Sequence, residues 1–345
     1  MGTTGREQTR RAVAAGTTLV ELLVVLFIVS LLLGIGVGVF GKFSVLSAAD
    51  NAGAGIRSMV RVIRDHARNH GTVGTVVLDA ENNRVLGLLE RVVGQWHFES
   101  AGGATTGAFD HDPRLLGGAE LVRDGCIGGA LRLDGGPGAG AELGRAVTFE
   151  SEWGIALSAD VWLEEAQGGG GTLLAKGDAY GLRLEGTRSL VGWVGVTEEG
   201  EIARRLDVVE ASSGEEKVPC GRWARIGLYY DRVQLRLFID ARQVAEAQEG
   251  RPLGQAPDKP LVLGGGTSAI KGKVDGVRLS VLGPAEGGEL PPGVKLGGGT
   301  RVIRFDAQGR LDARYHRVPA KIVLEGADGG LRTVAVGPLG DVSLE

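Results

Sequence analysis

Few side chains in the sequence stand at spacings that catalysis requires. His66 and His70 lie one helical turn apart, but the sequence supplies neither the intervening glutamate nor the third ligand of a zinc site of this type. Asp160 and Glu164 share one face of a predicted strand, where four steps of about 3.3 Å separate them by about 13 Å. Glycosidases hold their two carboxyl groups about 5 to 9.5 Å apart. The sequence therefore predicts that the protein is not an enzyme.

Metal and redox chemistry find little support elsewhere in the chain. Asp178, Asp207 and Asp231 lie in or near predicted loops, yet no run of alternating aspartates gathers the oxygen ligands that calcium needs. No cofactor is predicted, and calcium stays open without assigned ligands. Cys126 and Cys220 are the two cysteines of the chain, too few for a cysteine zinc site or an iron–sulfur cluster. They form either one disulfide or two buried free thiols.

Four tryptophans offer another chemistry, the stacking of an indole ring on a sugar. Equally, large aromatic side chains in sandwich strands fill the core. Both interpretations stay open for Trp153, Trp162, Trp193 and Trp223.

Glu21 is the one charge between residues 17 and 41. As a helix, residues 22–41 would rise about 30 Å, enough to cross a bilayer. Three arginines precede the segment, so the positive-inside rule predicts a cytoplasmic N-terminus. An acid inside a membrane span costs about 2.5 to 3.5 kcal/mol and by default needs a partner. Glu21 is therefore predicted to pair with a cation.

Residues 16–25, Gly-Thr-Thr-Leu-Val-Glu-Leu-Leu-Val-Val, resemble the class III leader of type IV pilins and pseudopilins. The resemblance implies that prepilin peptidase cleaves after Gly16 and that the new N-terminus, Thr17, is methylated. It also implies that Glu21 meets the N-terminal ammonium of a neighbouring subunit during assembly. The expected localisation is a single-pass inner-membrane protein with its bulk periplasmic, or extracellular in a filament. An ordinary signal peptide or anchor is the alternative.

The elements after this segment follow hydrophobic periodicity. Ile56, Val60, Ile63 and Ala67 form one stripe, which predicts that the helix continues until Gly71 ends it. Residues 75–78 and 84–89 are predicted to form a β-hairpin, and residues 301–305, 320–324 and 333–336 are predicted strands. Their order resembles the H-type minor pseudopilins and FimT-like proteins.

Between these two pieces the pattern changes to alternation with period two, as in 225–230 and 234–240. Glycine turns separate the strands, and 60 of the 345 residues are glycine. Many strands without a helix indicate a β-sandwich or jelly roll. Segments such as 129–135, 235–240 and 272–278 resemble laminin-G-like or concanavalin A-like jelly rolls.

The predicted fold class is therefore α+β: a long N-terminal transmembrane pilin helix with a small antiparallel β-domain, interrupted by an all-β concanavalin A-like jelly-roll sandwich. The predicted parts are a leader peptide (1–16), the pilin helix with its first hairpin (17–93), the jelly roll (94–283), a Pro/Gly-rich linker (284–300) and C-terminal strands that complete the pilin domain (301–345).

The predicted function is that of a minor pseudopilin or pilin-like subunit in a type II secretion pseudopilus or type IV pilus. Its predicted partners are other pilin subunits, prepilin peptidase and the inner membrane. The alternative is a membrane-anchored adhesin or glycan-binding module that uses a pilin-type anchor and binds a glycan or another surface ligand. The net charge of -4 gives no electrostatic reason to bind nucleic acid.

Overall fold

The computed structural model describes residues 19–99, 113–164, 170–186, 188–198, 206–266, 270–299 and 301–345. One long helix, α1 (Leu19–His70), opens this part of the chain, and a short 3-10 helix spans Val147–Phe149. The first strands are β1 (Gly74–Asp79), β2 (Arg84–Trp96), β3 (Arg114–Leu116), β4 (Glu120–Val122), β5 (Ala130–Asp134), β6 (Gly140–Gly144), β7 (Ile155–Leu163), β8 (Gly171–Lys176), β9 (Tyr180–Glu185) and β10 (Ser189–Val196). The later strands are β11 (Asp207–Lys217), β12 (Trp223–Tyr230), β13 (Gln234–Ile239), β14 (Arg242–Gln248), β15 (Leu261–Gly264), β16 (Lys271–Glu289), β17 (Lys295–Gly297), β18 (Arg301–Phe305), β19 (Ala320–Glu325), β20 (Leu331–Val336) and β21 (Val342–Leu344).

The C-terminal half of α1 agrees with its predicted stripe. Val60, Ile63 and Ala67 are fully buried. The helix ends at His70, and Gly71 follows with a φ of 62°, a left-handed conformation that glycine adopts without steric cost. The predicted helix end is thus confirmed.

The predicted transmembrane helix is wrong. In the part of the chain that the structure describes, no helix is both long enough and apolar enough to cross a membrane. A membrane span needs about 20 consecutive, predominantly apolar helical residues. The single-pass inner-membrane localisation is contradicted with it. The α+β fold class is also contradicted, because the described residues are mostly β-strand.

The strands form three antiparallel sheets. The first has the order β14-β13-β12-β7-β16-β2-β1-β18, with β5 paired to β16 and β4 paired to β5. The second has the order β11-β10-β9-β8-β15-β6-β3, and the third has the order β17-β19-β20-β21. Leu157 and Leu228 of the first sheet share one buried cluster with Leu182 and Val194 of the second. These two sheets therefore form a β-sandwich, the architecture that the alternating pattern predicts.

A second core joins the two ends of the described chain. Ile63 of α1 and Val76 of β1 share a buried cluster with Ile303 of β18 and with strands of the third sheet. β1 pairs with β18 in the register Thr75 to Arg304. The N-terminal hairpin and the C-terminal strands thus pack together, although the sandwich separates them in sequence.

β2 contributes residues to both cores, and β16 pairs with β2 along its length. β2 has 13 residues and β16 has 19, and their register extends from Arg84 opposite Glu289 to Trp96 opposite Val277. Both strands pass the boundaries that the sequence predicts at 94 and 283.

Residues 284–289 of the predicted Pro/Gly-rich linker belong to β16. The register with β2 shifts between Pro284 and Glu286, a bulge of the kind where proline is tolerated in a strand. The pairing of β16 with β7 ends at Val281, so Pro284 lies where β16 has one neighbour. Proline and glycine here mark a bulged strand rather than a linker.

Residues 306–319 cover part of the outer face of the first sheet. The backbone N–H of Arg304 donates to Nε2 of His316 over 2.9 Å, and the carbonyl of Arg304 accepts from the N–H of Asp312 over 2.8 Å. Because a ring nitrogen that accepts a hydrogen bond carries no proton, this contact requires the neutral imidazole.

The contact predicts a pH dependence of stability. Burial lowers the pKa of His316, against the raising effect of Asp312, and the Arg304 guanidinium lowers it further. A depressed histidine pKa contributes stability that is complete above about pH 6.5 and is lost as the pH falls through the folded-state value. We therefore expect the free energy of unfolding to fall in acid more steeply for the wild type than for His316→Gln. The measurement is the free energy of unfolding from denaturant titrations between pH 8 and pH 4. Parallel pH profiles of this free energy for the wild type and His316→Gln would contradict the prediction.

Candidate functional site

A cleft of about 350 Å³ opens where the β1–β2 hairpin meets loops of the sandwich. This volume lies within the range of about 300 to 1,000 Å³ that small-molecule sites occupy. The hairpin turn, the loop before β7, the β12–β13 turn and the segment after β14 form its walls. The lining residues are Val77, Asp79, Glu81, Asn82, Arg84, Leu86, Trp153, Glu198, Arg232, Glu249, Gly250, Arg251 and Pro252. We call this cavity the Trp153 cleft.

A tight turn holds Trp153 at the cleft. The Ser151 hydroxyl donates to the carbonyl of Leu282 on β16 and accepts from the backbone N–H of Trp153 over 3.1 Å. Gly154 has a φ of 150°, and a Cβ at this position would lie 2.2 Å from the carbonyl oxygen of Tyr230. The turn therefore admits glycine alone at this point, and it fixes the half-buried indole against the sandwich.

The β12–β13 turn brings a guanidinium to the same indole. The Asp231 Oδ1 accepts from the backbone N–H groups of Val233 and Gln234 at 3.3 and 3.2 Å, which is an Asx-type turn. Arg232, which lies between Asp231 and Val233 in this turn, has a φ of 59°. Its guanidinium carbon lies 4.7 Å from the Trp153 ring centroid, within the distance of a cation–π interaction.

The second oxygen of Asp231 belongs to a buried charge cluster. It accepts a hydrogen bond from Arg236, and both side chains are almost fully buried. The Arg236 guanidinium lies 5.1 Å from the Tyr229 ring centroid and 4.2 Å from that of Tyr315. The Arg304 guanidinium lies 3.7 and 4.8 Å from the same two rings. Two buried cations thus share two tyrosine faces.

Two carboxylates in the cleft are held ionised. Asp79 accepts from Asn82 and from Arg84, whose Nε lies at 2.8 Å. Burial would raise the pKa of Asp79, but these hydrogen bonds and the Arg84 charge outweigh it and lower the pKa. Glu249 accepts from the Nε and Nη2 of Arg251 at 3.0 and 2.9 Å, which lowers its pKa against burial. Both carboxylates are therefore acceptors near neutral pH.

The residues of the predicted processing and assembly sites lie apart from this cleft. Gly16 and Thr17 lie outside the described residues. Glu21 is exposed in the first turn of α1, and its assembly role stays a prediction. Cys126 is exposed and Cys220 is partly buried, and both are free thiols in the structure.

The carboxylates and histidines with suggestive spacing are engaged elsewhere. Asp160 accepts from the Nε and Nη2 of Arg225 at 2.9 and 2.6 Å, and Glu164 lies 3.0 Å from the Lys271 ammonium. His66 stacks on the next-turn histidine with ring centroids 4.0 Å apart. Among the described residues, no group of three or more His, Cys, Asp or Glu side chains could hold a metal ion.

Of the four candidate tryptophans, Trp153 lines the cleft. Trp193 is 9% exposed, and Trp162 and Trp223 stand opposite each other on β7 and β12. Trp153 is one of the candidates predicted from the sequence, whereas Arg84 and the other charged cleft residues are not. The turn-forming residues around Asp231 are a local sequence signal from which Arg232 could have been predicted. The contact between the sandwich loops and the β1–β2 hairpin has no local sequence signal.

No protein-family model and no curated protein matches the chain. Solved structures that are similar to parts of it include the following three. Domain 4 of AbnA, an extracellular GH43 arabinanase from Geobacillus stearothermophilus in complex with arabinotriose, is 16% identical with a TM-score of 0.44, over 56% of this chain and 94% of that chain. The binding domain of Paraclostridial Mosquitocidal Protein 1 is 12% identical with a TM-score of 0.44, over 55% and 48%. Trypanosoma rangeli sialidase is 18% identical with a TM-score of 0.37, over 55% and 30%. These TM-scores lie below 0.5, so any function has to follow from the residues of this chain.

The pilin and pseudopilin identification is contradicted by the structure. The described chain is β-rich, and none of its described helices is long and apolar enough to cross a membrane. The apolar N-terminal segment with its glutamate resembles a pilin leader, but this short local pattern does not determine the fold of the remaining chain. The predicted role in a pseudopilus or pilus is not supported either.

The buried cluster beside the cleft yields a prediction on stability. Asp231→Ala removes the partner of buried Arg236 and leaves that cation close to a second guanidinium. We expect a loss of about 3 to 5 kcal/mol in the free energy of unfolding. Asp231→Asn is the control, because its side-chain oxygen can still hold the turn while the charge is gone. A loss below about 1 kcal/mol for the alanine variant in urea titrations would contradict the role of this pair.

Proposed function

We propose that the chain is a carbohydrate-binding module and that the Trp153 cleft holds the saccharide. The observation that carries the proposal is a half-buried indole, fixed by a turn, in a cleft whose carboxylates and guanidiniums are already oriented. Oriented polar groups around an apolar surface are typical of small-molecule sites. The similarity to a domain that binds arabinotriose supplies a first probe rather than an argument.

The chemistry of the cleft suits a neutral sugar. The C–H face of a pyranose or furanose ring can pack on the Trp153 ring, which buries apolar area on both sides. Sugar hydroxyls can donate to Asp79 and Glu249, which only accept when ionised. The guanidiniums of Arg84 and Arg251 can donate to hydroxyl oxygens. Because these carboxylates are already held by neighbouring donors, little side-chain entropy is lost on binding.

We further propose binding without hydrolysis. Asp160 and Glu164, the carboxyl pair that the sequence singles out, are each engaged by a cation, Arg225 and Lys271 respectively. In the cleft, Asp79 and Glu249 both have lowered pKa values, whereas an acid catalyst needs a carboxyl whose pKa is raised. This charge state favours recognition over proton donation.

Binding should depend on the indole. We expect Trp153→Ala to weaken the affinity for a bound oligosaccharide about tenfold, equivalent to about 1.4 kcal/mol, since stacked aromatic contacts contribute about this much. The measurement is isothermal titration calorimetry with arabinotriose and with oligosaccharides selected on a glycan array. The full chain is used.

Trp223→Ala is the matched control, because Trp223 is a partly exposed tryptophan of the sandwich that does not line the cleft. It should leave the affinity unchanged. Equal affinity of wild type and Trp153→Ala, equal loss in both variants, or absence of any glycan binding would contradict the proposal. Release of reducing sugar during incubation would contradict binding without hydrolysis.

A further inference from the structure

A second cavity, of about 330 Å³, lies on the outer face of the first sheet. Strands β7, β12 and β16 form its floor, and the residues just after α1 and parts of the C-terminal segment form its walls. We call it the arginine cavity, after four of the residues that line it: Arg225, Arg278, Arg304 and Arg314. It shares no lining residue with the Trp153 cleft.

Two of the four arginines are neutralised by bidentate pairs. Arg225 binds Asp160 at 2.9 and 2.6 Å, and Arg314 binds Asp312 at 2.9 and 2.7 Å. The other two have weaker compensation. Arg278 lies 3.7 Å from a carboxylate oxygen of Glu90, which also lines the cavity. Arg304 forms no salt bridge with any described carboxylate.

Arg304 is also short of hydrogen-bond acceptors. The residue is 3% exposed, and neither its Nε nor its Nη1 has a hydrogen-bond partner among the described residues. Two neutral groups of the same cavity share this deficiency, because the buried hydroxyls of Ser280 and Thr72 also have no partner in the part of the chain that the structure describes. Native proteins rarely leave buried polar groups unpaired, and a guanidinium does not lose its proton to escape the cost.

The surroundings of Arg304 make a bound anion favourable. Arg304 shares the Tyr229 and Tyr315 rings with the buried Arg236 cation. The buried carboxylates that interact electrostatically with Arg304, Asp231 and Asp312, are already paired with Arg236 and Arg314. A bound anion would therefore supply the hydrogen-bond acceptor that Arg304 lacks. Oxyanions accept several hydrogen bonds at once and match guanidinium geometry.

The walls also restrict what the rest of the ligand can be. Glu90 and the C-terminal end of α1, which precedes Gly71, add negative charge and acceptor groups at the cavity. A bare inorganic anion would meet these without donors of its own, whereas a ligand with hydroxyl groups beside its anionic group can satisfy them. We propose that the arginine cavity binds the oxyanion of a small polyhydroxylated acid, such as a carboxylated or sulfated sugar.

The test is isothermal titration calorimetry of the full chain at low salt with three probes: glucuronate, glucose 6-sulfate and glucose. In the Trp153→Ala background, which weakens neutral-sugar binding in the Trp153 cleft, the proposal predicts binding of at least one of the two acids and no comparable binding of neutral glucose. Glucuronate and glucose 6-sulfate separate the two sources of the oxyanion, a carboxylate and a sulfate ester. Arg278→Gln should weaken binding about tenfold, as expected for loss of a hydrogen bond to a charged group, and Ser280→Ala should weaken it about fivefold.

Arg301→Gln is the matched control, since Arg301 is an exposed arginine of the same strand as Arg304 and does not line the cavity. Trp153→Ala should also leave acid binding unchanged, so this proposal and the proposed saccharide site can fail independently. Failure of both acids to bind, equal binding of glucose by Trp153→Ala, or an equal loss in Arg301→Gln and Arg278→Gln would overturn the arginine cavity as an oxyanion site.

Discussion

The backbone pairing of β2 with β16 is the constraint on which the rest of the structure depends. One end of this ladder, near Arg84 and Glu289, lies beside the core built on α1, and the other end, near Trp96 and Val277, lies inside the sandwich. Because β-strand pairing fixes register residue by residue, the two cores cannot shift relative to each other without breaking the ladder. Leu88 and Leu282 pack at the junction and exclude water from it. The β1–β2 turn is thereby held against the sandwich loops, and the Trp153 cleft exists because of that contact.

Charge is arranged around the same junction. One carboxylate oxygen of Asp231 forms the turn that presents Arg232 to Trp153. The other binds Arg236, which is buried under the C-terminal segment. The buried arginine then stacks on Tyr229 and Tyr315 beside Arg304. A single carboxylate thus connects the surface cleft with the buried cation cluster. The two cavities differ in character, because the Trp153 cleft is mixed in charge and the arginine cavity is basic.

Local pattern predicted the elements that have one buried face. The stripe through Val60 and Ile63 gave the second half of α1, and the alternation along β12 gave a sandwich strand with Ile226 and Leu228 inside. These cases succeed because hydrophobic periodicity reports burial on one face. Arg236 shows where the rule stops. It occupies a position that alternation predicts to be solvated, but the C-terminal segment covers this face, and no local feature of β13 reports that cover.

The domain boundaries were predicted from glycine- and proline-rich segments. Gly94 and Pro284, however, lie within paired strands rather than in interdomain linkers. The pilin resemblance failed for a related reason. A short N-terminal pattern carries no information about how later strands pair, and pairing between distant strands determines this fold. The Trp153 cleft combines a hairpin near residue 80 with loops near 153, 232 and 250, so it could not be assembled from the sequence alone.

The most direct test of the role of the β2–β16 ladder is native-state hydrogen exchange. If the ladder makes the two cores one cooperative unit, amides of α1 near Ile63 and amides of β12 near Leu228 should exchange with the same free energy of opening. Leu88→Ala at the junction should lower both values equally, by about 2 to 5 kcal/mol. A lower opening free energy for the helical core, or a loss confined to one of the two cores in the variant, would contradict the account.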